Sequence, residues 1–222
     1  MAKIDGPRFG PQAGGAPRQL VVLCHGVGSN GDDLIALAPM LATALPHAVF
    51  ISPNGPDAYD MMSGGAGRQW FSLADRRLAP MEAGVRAATK SLDQFLDETL
   101  AALTLPPTAY ALVGFSQGAM MALFTGLRRV QAPRVILAYS GMLLGPDKLQ
   151  AEMANRAPVL LVHGERDEVV PASASKLAAE VLGRLQVPTT LILRPDLGHS
   201  IDPAGVMAGV NALRDAFATP SP

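Results

Sequence analysis

Six runs of apolar residues recur along the chain, at positions 20–24, 48–52, 109–115, 134–140, 159–163 and 189–193. Most are apolar without interruption rather than alternating with polar residues. A strand with one wet face alternates with period two, whereas a strand covered on both faces does not. The runs therefore predict parallel strands enclosed by helices, and the segments between them supply those helices. Asp32 or Asp33 caps an expected helix running to about Leu45. Pro80 opens another to about Leu103, with Val85, Leu92, Phe95, Leu96 and Leu100 near helical spacing. A third covers residues 117–128, Pro171 opens a fourth through Leu177, Val181 and Leu185, and the last covers residues 203–217. Strands and helices in alternation predict a mostly parallel, doubly wound α/β sheet with helices on both faces.

The first 18 residues are rich in Gly and Pro and are expected to hold at most a short edge strand, and residues 220–222 read as a tail. With no internal repeat and no interdomain linker, residues 1–222 are expected to form one domain. Two connections bear on function. Residues 53–79 are long and aperiodic, hold the sole Trp (Trp70, beside Phe71), and follow the C-terminal end of a strand. Long irregular connections are frequently functional, and open α/β sheets bind ligands at the C-terminal ends of their strands. Residues 141–157 have room for one helix, so no separate cap domain is expected.

Composition narrows the classes. Hydrophobic residues make up 49% of the chain and charged residues 17%, with a formal net charge of −1. That balance gives no basis for nucleic acid or an anionic membrane as partner, and the apolar fraction is compatible with a homodimer. No stretch is long and apolar enough to span a bilayer, and the N-terminus lacks the apolar core of a secretory signal. A cytoplasmic protein is the expectation. The single cysteine, Cys24, ends an apolar strand and reads as a small buried hydrophobe. Histidines and cysteine show no zinc-site spacing, and no metal or organic cofactor is expected.

Gly114-Phe115-Ser116-Gln117-Gly118 joins a predicted strand to a predicted helix. A serine on so sharp a turn projects its hydroxyl from the sheet edge, and glycines two residues to either side leave room for the backbone. A serine hydroxyl needs a base to take its proton. Of His25, His47, His163 and His199, only His199 lies late enough to leave room for an acid between it and Ser116. The acid is expected after the strand at 159–163, in Gly164-Glu165-Arg166-Asp167-Glu168, where Asp167 is preferred over Glu165 and Glu168. An oxyanion needs two donors. The N–H of Gln117 is one, and the N–H of Val27 in His25-Gly26-Val27-Gly28 is the best candidate for the other. His25 and His163 are expected to support their loops.

With these elements together, the chain resembles the phospholipase/carboxylesterase family, to which acyl-protein thioesterases and small bacterial carboxylesterases belong. The likeness rests on His25-Gly26-Val27-Gly28, Trp70-Phe71, Gly114-Phe115-Ser116-Gln117-Gly118, His163-Gly164-x-x-Asp167 and Gly198-His199, and runs from about Leu20 to Phe217. It implies an α/β-hydrolase fold without a cap domain. It also implies Ser116 as nucleophile, Asp167 and His199 as its partners, and Val27 and Gln117 as oxyanion donors. The implied activity is a serine carboxylesterase acting on small or single-chain acyl esters through an acyl-enzyme on Ser116. An acyl-protein thioesterase or lysophospholipase with the same triad is the alternative, and a noncatalytic binding protein of this fold is a more distant one. The loop Val27-Gly28-Ser29-Asn30-Gly31-Asp32-Asp33 departs from the Gly-Asp-Thr-Gly-like sequence of the thioesterase branch. Met61, Met62, Trp70, Phe71, Leu73, Met142 and Val169 fall in loops expected at the same sheet edge, where some are expected to line an acyl groove and others to cover the core.

Overall fold

The computed structural model describes residues 4–61 and 67–218. In chain order the strands are β1 (Arg8–Phe9), β2 (Gln19–Cys24), β3 (Ala48–Ile51), β4 (Asp57–Ala58), β5 (Arg68–Gln69), β6 (Tyr110–Phe115), β7 (Ile136–Tyr139), β8 (Val159–Gly164) and β9 (Thr189–Arg194). The helices are α1 (Gly31–Leu34), α2 (Ala38–Leu41), α3 (Leu78–Ala102), α4 (Gln117–Arg128), α5 (Pro146–Glu152), α6 (Ser173–Arg184) and α7 (Pro203–Ala218). Seven strands form one sheet in the order β1-β3-β2-β6-β7-β8-β9. All of its neighbours are parallel except β1, which pairs antiparallel with β3 at one edge.

The uninterrupted apolar strands follow from burial on both faces. Along β2, Val21 and Leu23 point into a core shared with Leu34, Leu41, Val206 and Val210 of α1, α2 and α7. Leu20, Val22 and Cys24 point the other way, into a core with residues of α3, α4 and α6. In β2, side chains of opposite parity thus both find apolar partners, and no polar position is required.

The predicted helices sit where expected, with adjusted ends. The long helix begins at Leu78 rather than Pro80, because Pro80 occupies the first turn, where its missing N–H has no intrahelical acceptor. The helix expected from Pro171 begins at Ser173. The helix expected from Asp32 or Asp33 to Leu45 is not continuous. Asn30 is its N-cap, its side chain accepting from the Asp33 N–H. A 3-10 turn at Ile35–Leu37 then separates α1 from α2. Pro39 supplies no N–H to an α-helical ladder there, which favours the break. Residues 53–79 contain the small antiparallel ribbon β4–β5, which two-residue strands leave invisible in any periodicity. The tail at 220–222 lies outside the described residues. Among the described residues, no helix is long and apolar enough to cross a membrane.

Candidate active site

β6 ends at Phe115 and α4 begins at Gln117, leaving Ser116 alone to turn the chain. Ser116 has φ 55° and ψ −117°, a conformation that a side chain strains to adopt. Its N–H donates to the Tyr139 carbonyl of β7 at 2.9 Å. The flanking glycines are steric necessities. A Cβ on Gly114 would lie 2.2 Å from the Gly118 oxygen, and one on Gly118 would lie 1.8 Å from the Cys24 oxygen.

The turn aims the Ser116 hydroxyl at His199, on the loop between β9 and α7. His199 Nε2 lies 2.9 Å from Ser116 Oγ, and His199 Nδ1 lies 2.7 Å from Asp167 Oδ2. Asp167 accepts only, so Nδ1 carries the proton and Nε2 is left free to accept from the serine. The imidazole also packs against the Phe115 ring at 4.8 Å between centroids. Of the three acids in the turn after β8, Asp167 meets His199, while Glu165 and Glu168 are exposed.

The other oxygen of Asp167 accepts from the Val169 and Val170 N–H groups at 2.9 and 2.8 Å. Burial pushes the Asp167 carboxyl up. The bond from His199 and these two backbone donors outweigh that, holding the group below the usual carboxylate range. His163 lies fully buried behind it, with Nε2 2.8 Å from the Val170 oxygen and 3.2 Å from Asp167 Oδ2. Both neighbours of Nε2 accept, so in the neutral ring that nitrogen holds the proton and Nδ1 accepts from the Ser175 hydroxyl at 2.7 Å.

The second loop follows β2. His25 is fully buried. Its Nε2 accepts from the Gly55 N–H at 2.8 Å and its Nδ1 faces the Gly26 oxygen at 2.7 Å. These bonds account for the supporting role expected of it. Among the described residues, the N–H groups of Val27 and Gln117 have no hydrogen-bond acceptor.

The groove residues divide. Trp70, Phe71 and Leu73 are buried in the core on the α3/α4 side of the sheet. The Trp70 indole N–H donates to the His25 oxygen at 3.0 Å, so these three fall among the residues expected to cover the core. Val169, beside Asp167, and Met61 are exposed, at 56% and 59%, and Met62 lies outside the described residues. Met142 lines a cavity of about 320 Å³ with Leu78, Leu143, Ala174 and Leu177. Gly141, just before Met142, packs against Ala119 in the first turn of α4, where a Cβ on it would lie 2.4 Å from the Ala119 Cβ. A larger groove of about 760 Å³ lies at the starts of β8 and β9 beside the last turns of α7. That is the N-terminal end of the strands, away from Ser116. Among the described residues no cluster of His, Cys, Asp and Glu is placed to hold a metal ion.

Residues 12–215 match the phospholipase/carboxylesterase family. The chain belongs to that family. Within it, esterase YpfH of Escherichia coli (strain K12) is 29% identical over 202 residues, spanning 89% of this chain and 82% of that protein. Acyl-protein thioesterase 1 of Schizosaccharomyces pombe is 28% identical over 188 residues, 82% of each chain. Among solved structures, esterase PE8 superimposes with a TM-score of 0.91 at 40% identity, covering 97% of this chain and all of that one. Its relatives make this family member an ester-hydrolysing enzyme with an α/β-hydrolase fold. Several supporting residues had no signal in the sequence: Ser175 on Nδ1 of His163, Arg68 beside the His25 loop, and the carboxamide of Gln117. Arg68 and Gln117 make contacts between segments far apart in the chain, and Ser175 meets His163 across an irregular turn of 12 residues.

Proposed function

We propose that this family member is a serine carboxylesterase that hydrolyses small or single-chain acyl esters through an acyl-enzyme on Ser116. The observation that carries this reading is the unbroken line Ser116–His199–Asp167, at 2.9 and 2.7 Å, ending beside two unspent N–H groups.

His199 Nε2 takes the Ser116 proton as Oγ attacks the ester carbonyl. The carbonyl oxygen becomes an oxyanion held by the N–H groups of Val27 and Gln117. Asp167, kept anionic, stabilises the imidazolium formed at His199. The tetrahedral adduct then expels the alcohol, which leaves with the proton from His199. Water, deprotonated by His199, attacks the acyl-Ser116 carbonyl and releases the acid, and the proton returns to Oγ.

A thioester follows the same steps with a thiolate leaving group. The likeness to the fission-yeast acyl-protein thioesterase favours that second reading. The cavity beside Met142 is apolar on several sides and is proposed to take the acyl group. A p-nitrophenyl ester series from acetate to palmitate, with a thioester in parallel, separates the readings. Faster turnover of short esters than of any thioester supports the carboxylesterase. A thioester preferred at every chain length overturns it in favour of the thioesterase. Failure of a fluorophosphonate to modify Ser116 overturns both.

A further inference from the structure

Gln117 is fully buried, and both polar atoms of its side chain bond to a segment outside its own helix. Its Oε1 accepts from the Trp70 N–H at 2.9 Å, and its Nε2 donates to the Phe71 oxygen at 2.7 Å. A carboxamide bonded this way to consecutive residues behaves as one more rung of a strand. It fastens residues 70 and 71 to the first residue of α4.

The segment so fastened holds the loop that carries Val27. The Trp70 indole N–H donates to the His25 oxygen at 3.0 Å. Two residues earlier, the Arg68 oxygen accepts from the Gly28 N–H at 2.9 Å, and the Arg68 N–H donates to the Ser29 oxygen at 2.7 Å. Gly67 lies so close that a Cβ on it would sit 2.3 Å from the Gly28 oxygen. Residues 25, 28 and 29 are thus pinned on both sides of Val27, and the pinning segment ends on Gln117.

We propose that Gln117 serves the oxyanion hole twice: its N–H is one donor, and its carboxamide, through Trp70 and Arg68, positions the other at Val27. This rests on the esterase reading above. The physical reason is preorganisation. A donor aimed before the charge develops costs no reorganisation during the reaction, and a donor on a loose loop does. Trp70 belongs to the same clamp, so its conspicuous place in the sequence reports oxyanion geometry rather than substrate contact.

Three variants test it. Gln117→Leu removes both bonds, Gln117→Glu keeps an acceptor for Trp70 but loses the donor to Phe71, and Trp70→Phe removes the donor to His25 while keeping most of the ring. Each leaves both backbone N–H groups in the chain. Steady-state rates are measured on an ester and on its thiono counterpart, whose carbonyl sulfur is a poor acceptor and gains little from the hole. Expected is a fall in kcat on the ester of about tenfold to a hundredfold, below the loss from deleting a donor outright. KM should stay within about threefold. The thiono substrate should lose at least several-fold less than the ester. Combining Gln117→Leu with Trp70→Phe should cost less than the product of the single losses, because both act through one loop.

Equal losses on the two substrates overturn the proposal, as does unchanged ester turnover in Gln117→Leu. Should Gln117→Leu fail to fold, Trp70→Phe decides by the same ratio. A wild-type protein that neither turns over esters nor reacts at Ser116 fails the underlying esterase reading instead, so the two failures are distinct.

Discussion

At Ser116, His199 and Asp167 the proposed chemistry depends on protons held in fixed places. Ser116→Ala removes the proposed nucleophile, and kcat on a p-nitrophenyl ester should fall by about 10⁴-fold or more, with the fluorophosphonate adduct lost from the intact mass. Asp167→Asn keeps the shape but presents an N–H or a neutral oxygen to His199 Nδ1, so the imidazole can settle in the wrong tautomer. A loss of about 10³–10⁴-fold in kcat is expected, with little change in KM. Cys24 offers the opposite test. Burial raises its thiol to about 12, and its side chain lies in the core. It should resist iodoacetamide in the folded protein and react fully in urea, as read by intact mass. All three residues of the line were legible from the order Ser, acid, His and from their places after strands. The partners of Gln117 were not, because hydrogen bonds to residues 46 and 47 positions away leave no periodic trace; those of His163 lie within 12 residues but in an irregular turn, where periodicity is equally silent.

At the level of elements, the strand-to-helix turn at Ser116 owes its shape to two glycines, and the chain's glycines are not equivalent. Gly118→Ala would set a Cβ 1.8 Å from the Cys24 backbone oxygen, so α4 has to move off β2. Little soluble protein is expected, or a severe drop in thermal midpoint, with esterase activity lost in proportion. Gly183 in α6 has nothing within 4 Å of its would-be Cβ, and Gly183→Ala should stabilise by about 0.5–1 kcal/mol, seen as a raised urea midpoint at unchanged slope. Elements longer than five residues were legible because β6, β8 and α3 carry continuous apolar or helical patterns. The pieces that escaped are short or irregular. β4 and β5 have two residues each, and the segment from Gly31 to Leu41 alternates between α and 3-10 turns around Pro39. Their shape is set by Asn54 and Arg68 contacts to other segments, which local sequence does not encode.

For the whole molecule, stability against acid should fall in two steps. The first belongs to His25. Burial pushes its pKa down, outweighing the bond to the Gly26 carbonyl, and the nearby Arg68 charge pushes the same way. The geometry gives the reason: Nε2 already accepts from the Gly55 N–H, so a second proton there would face a donor. With the folded pKa below the ordinary 6.5, the unfolded chain binds the proton first. Stability is therefore complete above 6.5 and declines as the pH falls below it. The second step belongs to carboxylates held below their usual range. In Asp167, Asp202 and Glu152, burial raises the pKa but is outweighed by His199 and backbone donors, by Arg194 and Gly205, and by Arg86 and Arg128 respectively; Glu82 is lowered chiefly by Lys148. Their contribution is present above the ordinary values of 3.8 and 4.5 and is lost as the pH falls through the lower folded ones. Urea midpoints taken from pH 8 to pH 3 should be flat to about pH 7, decline gently below 6.5, and decline steeply below about 4.5. His25→Asn should lower the plateau and erase the gentle decline while leaving the steep one. A variant that keeps the gentle decline would place it on another group.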